Sequence, residues 1–231
     1  MIRVFIGYDP REAVAYTVCN HRIQVRSSRP VSVTPVMLSQ LTHVFNRSRN
    51  PLQSTDFSFS RFLVPYLCDY QGWAIFIDGD MLVLDDIAEL WALRDDHYAV
   101  QVIKHNHVPD ENTKFLNAVQ TRYDKKNWSS VVLFNNAKCK ALTPEYVNTA
   151  SGLELHQFKW LDNDGLIGDL PHRWNVLVDY DVPLEEPGLV HYTKGGPYFK
   201  EYRDCGYAEE WFREKWHSNF ASQHDDIDVA S

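Results

Sequence analysis

The segment Trp73-Ala74-Ile75-Phe76-Ile77-Asp78-Gly79-Asp80 constrains the fold more than any other part of the chain. Its first five residues are apolar or aromatic, which predicts a short strand buried on both faces of a parallel or mixed sheet. Side chains two residues apart on an extended chain point to the same side, so Asp78 and Asp80 can face one point. Gly79 allows a sharp turn and leaves room for a ligand. Together these features predict a site for a divalent cation and a phosphorylated ligand.

An Asp-Gly-Asp triplet alone is as typical of a solvated turn as of a metal site. The residues that follow it favour the metal site. Met81-Leu82-Val83-Leu84 resumes an apolar strand, and Asp85 or Asp86 then caps a short helix that reaches Trp91. A buried strand, an acid pair, a second strand and a capped helix form an organised unit rather than an isolated turn.

The elements predicted upstream of this unit begin a nucleotide-binding α/β fold. Residues 3–6 form an apolar strand, and a helix follows with Asp9 as its cap and Pro10 at its first position. Val31–Val36 alternates as a second strand, so the chain opens as strand, loop, helix and strand. An amphipathic helix over 57–67 then leads into the acid-bearing strand.

The alternation of strands and helices continues downstream. Thr143 and Pro144 mark a helix start, and the segment after Gly152 is interpreted as a second helix or a loop. The elements predicted after Trp91 are strands at 99–103, 127–136 and 189–192, helices at 143–149 and 152–160, and an aromatic-rich helix at 207–220.

Composition and charge narrow the class of protein. The 231 residues are 44% hydrophobic and 13% aromatic, which suffices for a sizeable core. No run approaches the roughly 18 apolar residues of a membrane span, and the N-terminus is typical of a first strand rather than a signal peptide, which predicts a cytoplasmic protein. The formal net charge of −8 argues against nucleic-acid binding. The four cysteines are scattered, which predicts reduced thiols.

Several of these stretches resemble the nucleotide-sugar-dependent glycosyltransferases of GT-A fold, most closely the family 8 type that retains anomeric configuration. The most specific likeness is to the family's arginine helix, D-x-D strand and following helix, and it covers Ser60-Arg61-Phe62-Leu63-Val64-Pro65, Phe76-Ile77-Asp78-Gly79-Asp80-Met81-Leu82-Val83 and Asp86-Ile87-Ala88-Glu89-Leu90. Residues 127–135, 170–175 and 190–198 are similar to the family's N-S-G-V strand, its L-P-x-x-W-N segment and its closing H-Y/F-x-G-x-x-K-P-W motif. The resemblance implies a central mixed, mostly parallel sheet flanked by helices. It also implies a GT-A domain over 1–205. The spacing of aromatic residues beyond it predicts a C-terminal aromatic helix over 206–221, and the small, polar and acidic composition of 222–231 predicts a disordered tail.

The resemblance implies a metal-dependent enzyme that moves a sugar from a nucleoside diphosphate sugar to an acceptor hydroxyl. Asp78, Asp80 and His191 are expected to hold Mn²⁺ or Mg²⁺, and the imidazole favours Mn²⁺. Arg61 and Lys194 are expected at the phosphates, and Gln157 near the reacting anomeric carbon. The residues expected to bind the donor are Gly7, Tyr8, Asp9, Arg61, Gly79, Ser129, Ser130, Lys194 and Gly195.

Structural roles compete with some of these assignments. Taken without the motif, His191 is typical of a core histidine, Arg61 of a surface ion pair and Asp9 of a helix cap. His156 stands where the family usually has the first acid of an Asp-Gln-Asp triplet. Since no convincing carboxylate nucleophile is evident, retention by front-face attack is favoured.

Three other functions share parts of this pattern. A haloacid-dehalogenase-type phosphatase also uses Asp-x-Asp, but on its first strand. A nucleotidyltransferase would carry a glycine-rich basic loop after the first strand, which Gly7-Tyr8-Asp9-Pro10-Arg11-Glu12 does not match. A catalytically silent sugar-nucleotide binding protein is the third alternative, and only turnover separates it from an enzyme.

The acceptor, the donor sugar and base, and the oligomeric state stay open at this stage. His105, His107 and Lys114 follow the fourth predicted main strand, where acceptor specificity can be built, but ordinary polar residues of an exposed segment are the favoured explanation.

Overall fold

The fold is described from a computed structural model, which covers residues 1–49, 53–106, 116 and 124–220. Strands and helices are interspersed along the chain, and some strands follow one another without an α-helix between them. The strands are β1 (Ile2–Gly7), β2 (Val31–Val36), β3 (Trp73–Ile77), β4 (Met81–Val83), β5 (Val100–Val102), β6 (Val131–Asn135), β7 (Ile167–Asp169), β8 (Val176–Leu177) and β9 (Leu189–His191). The helices are α1 (Ala13–Arg26), α2 (Val64–Leu67), α3 (Ile87–Ala92), α4 (Pro144–Thr149), α5 (Gly152–His156) and α6 (Ala208–Phe220).

The main sheet has six strands in the order β2-β1-β3-β6-β5-β7. β1 is parallel to both β2 and β3, and β5 is parallel to β7, whereas β6 is antiparallel to its neighbours β3 and β5. The sheet is therefore mixed and mostly parallel, as the sequence predicted. Because β6 alone is reversed, its first residue lies at the same sheet edge as the last residues of β1, β3, β5 and β7.

Residues of β3 contribute alternately to the two faces of the main sheet. Ala74 and Phe76 pack into a cluster that includes Phe57, while Ile75 and Ile77 pack into a cluster on the other face. Side chains of a strand alternate between faces, so an all-apolar run is what burial on both faces requires. The prediction of a doubly buried strand is confirmed.

A second, three-stranded sheet has the order β4-β9-β8. β4 is antiparallel to β9, and Met81 pairs with His191 in that ladder. The helices α1 and α6 cover this sheet, with Val18 and Trp211 in its hydrophobic cluster. Arg22 of α1 forms a buried ion pair with Glu214 of α6, with 2.8 Å between Nη1 and Oε2. The C-terminal aromatic helix thus packs on its own chain.

The predicted helix starts are confirmed by side-chain caps. The Asp86 side chain accepts from the backbone N–H of Ala88 at the start of α3, and Thr143 caps α4 through Tyr146. Asp9 caps a 3₁₀ turn, Pro10–Glu12, that leads into α1. Polar side chains at these positions satisfy N–H groups that have no partner within the helix.

The prediction of one amphipathic helix over 57–67 is wrong in the length of the helix and in the exposure of one of its faces. The segment forms a 3₁₀ turn, Ser60–Leu63, followed by the single α-helical turn of α2. Pro65 lies in the first turn of α2, where its missing N–H is tolerated, so an α-helix cannot run through it from the preceding residues. Residues 57–65 are buried rather than half exposed, and the apolar side chains over 57–64 belong to one hydrophobic cluster.

Among the described residues, no helix is both long enough and apolar enough to cross a bilayer. The tail over 222–231, for which disorder was predicted, lies outside the described residues.

Candidate metal centre

Asp78 and Asp80 occupy the turn between β3 of the main sheet and β4 of the second sheet. The backbone of this turn is fixed on both sides. The N–H of Asp78 donates to the carbonyl of Ser130 at 2.9 Å, and the carbonyl of Asp80 accepts from the N–H of Tyr192 at 3.1 Å. The second hydrogen bond extends the β4–β9 ladder and brings the neighbouring His191 to the acid pair.

The three side chains predicted to bind a cation converge. His191 Nε2 lies 3.4 Å from Asp80 Oδ1 and 3.8 Å from Asp78 Oδ2. One potential ligand atom from each residue lies within 4.8 Å of the others, and all three residues are buried. Two ligands at right angles on one Mg²⁺ or Mn²⁺ ion lie about 3 Å apart, so small side-chain movements suffice to close the set. Two carboxylates and one imidazole therefore fit a divalent cation.

Asn175 supports His191 from behind. Its Oδ1 lies 3.1 Å from His191 Nδ1, and its Nδ2 donates to Ser130 Oγ at 2.8 Å and to the carbonyl of Asn127 at 3.4 Å. Asn175 is fully buried, so these contacts are not shared with solvent. The sequence did not predict these contacts of Asn175, although the residue lies in the family-like segment 170–175.

Arg61 is an ion-pair partner of the acid pair. Its Nη1 lies 2.7 Å from Asp78 Oδ1 and donates to the carbonyl of Ser129 at 2.8 Å. The guanidinium also lies over the rings of Phe57 and Phe76, at 5.2 and 5.0 Å from their centroids. Arg61 is buried, so the alternative of a surface ion pair does not hold. Its Nε has no hydrogen-bond partner among the described residues.

Gly79 is required by close packing of two strand ends. A Cβ at this position would overlap the backbone carbonyl oxygen of Gly7, at the end of β1. The position where a Cβ would stand is thus filled by the end of β1, and contact of Gly79 with a ligand stays a prediction. Gly7 is packed equally closely, because its own Cβ would overlap the ring of Phe57.

The loop after β1 is built around the Asp9 carboxylate. Asp9 accepts from the backbone N–H and Nε of Arg11, both at 2.9 Å, and from the N–H of Asp56 at 3.1 Å. Burial alone would raise the pKa of Asp9, but the hydrogen bonds from Arg11 and Asp56 lower it below its usual value. The ring of Tyr8 stands edge-on to Tyr16, with 5.4 Å between centroids. The geometry shows the capping role of Asp9, and base contacts by Tyr8 and Asp9 stay predictions.

Ser129 and Ser130 precede β6 and brace the acid pair. The carbonyl of Ser129 accepts from Arg61, and its hydroxyl lies 2.7 Å from Nδ1 of His156. The Ser130 hydroxyl donates to the carbonyl of Asn127 at 2.5 Å. Both serines are buried, and the contacts of their hydroxyls with a sugar stay a prediction.

Gln157 follows α5, and its backbone carbonyl accepts from Lys125 Nζ at 3.0 Å. The same ammonium pairs with Asp164 Oδ1 at 2.6 Å. The imidazole of His156 is enclosed by aromatic rings, and burial, followed by the charge of Arg61, holds its pKa well below the usual value. His156 is therefore neutral at pH 7. No contact tests the predicted role of Gln157 in the reaction.

Lys194 and Gly195 lie in the loop after β9, which ends at His191. The Lys194 ammonium lies 4.1 Å from the centroid of the Tyr180 ring. The N–H of Gly195 donates to the carbonyl of Tyr192 at 3.0 Å, and Gly195 has a φ of 143°, which favours glycine. Both residues stand beside His191 in the chain, and their contact with a diphosphate stays a prediction.

His105, one of the three residues in the predicted acceptor segment, is buried rather than exposed. His107 and Lys114 lie outside the described residues.

Comparison with known proteins adds to this geometry. Residues 16–197 match the family described as glycosyl transferase family 8, a range that includes the acid pair and His191. The chain belongs to glycosyl transferase family 8. The resemblance found in the sequence motifs is thereby confirmed, and the protein is a glycosyltransferase.

Similar proteins are found both in sequence and in structure. Protein CDI from Arabidopsis thaliana is 50% identical over 221 residues, which cover 92% of this chain and 85% of that protein. The galactosyltransferase LgtC, solved with donor and acceptor sugar analogues, superposes with a TM-score of 0.57 at 12% identity over 96% of this chain and 98% of LgtC. GlyE of Streptococcus pneumoniae TIGR4 gives a TM-score of 0.60 at 15% identity, with 93% of this chain and 60% of GlyE covered. These two structures establish the GT-A fold for this family 8 member.

Proposed function

We propose that this family 8 protein uses a divalent cation, bound by Asp78, Asp80 and His191, to transfer a sugar from a nucleoside diphosphate sugar to an acceptor hydroxyl. The observation that carries the proposal is the convergence of two buried carboxylates and one imidazole nitrogen at the end of β3. In open α/β sheets, ligands bind outside the carboxyl ends of the strands, which is where this cluster lies.

The charges of the cluster favour binding of a cation first and of an anionic ligand after it. Asp78 and Asp80 contribute two negative charges and Arg61 one positive charge, while a ligating imidazole is neutral. A divalent cation turns this negative site into a positive one, to which a diphosphate is attracted. The buried surroundings strengthen both interactions because the local dielectric constant is low.

A bound cation supplies charge neutralisation for the diphosphate that leaves when the anomeric bond breaks. The chain's own residues hold and orient the side chains proposed to bind the cation. Asp78 and Asp80 are fixed by the backbone bonds to Ser130 and Tyr192, and Arg61 holds the Asp78 carboxylate in place. The imidazole in the set favours Mn²⁺ over Mg²⁺, because nitrogen ligands suit transition metals better.

The proposed stereochemical course is retention with front-face attack, as the family resemblance implies. At the position of the family's first acid the chain has His156, and this neutral, enclosed imidazole bonded to Ser129 is not a carboxylate nucleophile. The anomeric proton signals of the product, followed by NMR from the first minutes of the reaction, test this course. A product of inverted configuration would contradict it.

The experiment that tests the proposal combines binding and turnover. Metal-stripped protein is mixed with Mn²⁺ and a panel of nucleoside diphosphate sugars, and thermal unfolding identifies the donor; a ligand at 100 times its dissociation constant adds about 2.7 kcal/mol to the free energy of unfolding. Release of nucleoside diphosphate in the presence of acceptor hydroxyl compounds then measures catalysis. Binding without any turnover would indicate a catalytically silent sugar-nucleotide protein.

Asp80→Asn is the matched variant for the same assay. It keeps the shape of the side chain and removes the charge, so we expect the transfer rate to fall about 100- to 1000-fold. Asp204→Asn, which changes an exposed carboxylate, serves as the control and is expected to retain the full rate. A rate near that of the unaltered protein in Asp80→Asn would contradict the proposed role of the cation.

A further inference from the structure

A second cluster of metal-ligating side chains lies outside the acid pair and His191. It consists of His105, His172 and Asp181, which each offer a ligand atom within 4.8 Å of the others. His172 Nε2 lies 3.0 Å from Asp181 Oδ2, and the rings of His105 and His172 stand edge to face with 5.3 Å between centroids.

The pairing of β5 with β7 explains why the two histidines meet. Val102 and Asp169 are the last residues of these parallel strands, and they are partners in the ladder. His105 and His172 each come three residues after their member of that pair. Residues at equivalent positions beyond the ends of two paired parallel strands lie at the same edge of the sheet. The pairing of β5 with β7 therefore brings the two imidazoles together.

Backbone contacts hold the members of the cluster in place. The carbonyl of His105 accepts from Trp128 Nε1 at 2.8 Å. The Asp181 carboxylate accepts from the N–H of Leu177 at 2.6 Å, and the N–H of Asp181 donates back to the carbonyl of Leu177 at 2.9 Å. Asp181 is thereby attached to the end of β8 and does not depend on a flexible loop for its position.

The cationic residues next to His105 and His172 in the chain pair with acids other than Asp181. Lys104 pairs with Asp169 at 3.1 Å between Nζ and Oδ1, and Arg173 pairs with Asp85 and with Glu89. With neutral imidazoles the cluster carries one negative charge, which a divalent cation reverses.

We propose that His105, His172 and Asp181 form a second metal site, selective for Zn²⁺ or a similar transition-metal ion. Two imidazoles and one carboxylate are the donor set of open Zn²⁺ and Fe²⁺ sites, whereas Mg²⁺ prefers oxygen ligands. Two ligands of one tetrahedral Zn²⁺ ion at about 2.0 Å lie about 3.3 Å apart, close to the observed His172–Asp181 spacing.

The side chain of His172 is 47% exposed, so the remaining coordination position is accessible to water or to an oxygen ligand from solution. The site is therefore open rather than closed, which is typical of metal sites that bind a further ligand. It lies beyond the carboxyl ends of β5 and β7, at the sheet edge that also carries Asp78. The proposal does not depend on the proposed function, because it requires no donor, acceptor or turnover.

The test isolates this site by removing the first one. In the full chain with Asp78→Asn and Asp80→Asn, we expect equilibrium dialysis against Zn²⁺, followed by metal analysis, to show one bound equivalent. Adding His172→Ala is expected to weaken that binding at least tenfold. His172 is partly exposed on a short 3₁₀ turn, so its replacement is compatible with folding, which circular dichroism checks. His97→Ala, which removes an exposed histidine elsewhere, is the control and is expected to bind Zn²⁺ unchanged.

Visible absorption of bound Co²⁺ gives an independent readout. Its intense bands report tetrahedral coordination, and we expect them in the Asp78→Asn/Asp80→Asn protein and not after Asp181→Asn is added. The Asn side chain keeps an oxygen acceptor for the N–H of Leu177, so the turn is preserved. Zn²⁺ affinity and Co²⁺ spectra that are the same with and without His172→Ala and Asp181→Asn would overturn the proposal.

Discussion

At the scale of single residues, the hydrogen bonds of Asn175 determine which nitrogen of His191 faces the two carboxylates. The Ser130 hydroxyl donates to the carbonyl of Asn127, so its oxygen is left to accept from Asn175 Nδ2. The amide orientation follows, and Oδ1 must then accept from Nδ1–H of His191. Nε2 therefore presents its lone pair towards Asp78 and Asp80, which is the tautomer that binds a metal.

This chain of contacts leads to a prediction for Asn175→Leu. The change keeps the approximate shape of the side chain and removes the acceptor for Nδ1–H, so His191 loses its fixed tautomer and orientation. We expect the affinity for Mn²⁺ to fall about 10- to 100-fold, as for other residues that support a ligating histidine. Calorimetric titration of metal-stripped protein measures it. Asn175→Asp keeps an acceptor opposite Nδ1 and is expected to bind more tightly than Asn175→Leu; equal affinities in the two variants would contradict this role.

The residues proposed to bind the cation directly were predicted from the sequence, and the residues that support them were not. Asp78 and Asp80 stand together in a short motif at a strand end, and His191 stands in a motif of its own. Asn175 acts through contacts with Asn127, Ser130 and His191, which depend on how two sheets meet. The proximity of His105 to His172 likewise depends on the β5–β7 pairing, which residue types alone do not reveal.

At the scale of elements, the Asp9 carboxylate, whose pKa is lowered, stabilises the loop between β1 and α1. Asp9 is charged in the folded protein at pH values where an unfolded aspartate is already protonated. Its stabilising contribution is complete above the unfolded pKa of about 3.9 and is lost as the pH falls through the lower folded value.

The variant Asp9→Asn tests this contribution. Asn can still cap the turn, but it cannot form the ion pair with Arg11. We expect the free energy of unfolding at pH 7 to be about 1–2 kcal/mol lower than for the unaltered protein. Urea unfolding at decreasing pH is expected to show that this difference shrinks below about pH 3.9. A difference that stays constant down to pH 2, or the same difference in the exposed-site control Asp204→Asn, would contradict the assignment.

The prediction of helices and strands succeeded where neighbouring residues determine the structure, and it failed where tertiary packing determines it. Caps at Asp86 and Thr143 were predictable because the side chain and its N–H partner lie within three residues of each other. The strands β7 and β8 were not predicted, because β7 is Ile-Gly-Asp, with one large apolar residue where the other three-residue strands have two or three, and β8 has only two residues. The segment 57–67 was misassigned because residues 57–65 are buried on all sides rather than on one helix face, and Pro65 limits the α-helix to a single turn.

At the scale of the whole molecule, an ion pair connects α1, in the N-terminal part of the chain, to α6, in its C-terminal part. Arg22 donates from Nε to the carbonyl of Val83 at 2.9 Å and pairs with Glu214, so α1, β4 and α6 meet at one guanidinium. Both partners are buried, and removal of one leaves the other charge uncompensated.

Glu214→Ala is therefore expected to lower the free energy of unfolding by about 3–5 kcal/mol. The double variant Arg22→Met/Glu214→Leu removes both charges and is expected to lose much less, because apolar residues can replace a buried pair. Glu209→Ala, at an exposed position of the same helix, is the control. Urea unfolding curves of the four proteins measure these effects. A double variant as unstable as Glu214→Ala would show that the ion pair itself, rather than the uncompensated charge, accounts for the loss.

The overall architecture follows from the predicted order of elements, since strands that alternate with helices form a mostly parallel sheet. The reversal of β6 and the separate sheet β4-β9-β8 were not predicted, because strand order and direction depend on contacts between residues far apart in the chain. That second sheet brings His191 to the end of β3, so the candidate metal centre is a property of the complete fold.

The affinity of the protein for the nucleoside diphosphate of its donor, with and without Mn²⁺, tests the central claim most directly. Calorimetry with metal-stripped protein and added chelator is compared with calorimetry in Mn²⁺, for the unaltered protein and for Asp80→Asn. We expect chelation to weaken binding by about 100-fold or more in the unaltered protein, since a cation held by Asp78, Asp80 and His191, as proposed, would supply the positive charge that attracts the diphosphate. We expect Mn²⁺ to have little effect in Asp80→Asn. Equal affinity of the unaltered protein in Mn²⁺ and in chelator would contradict the account.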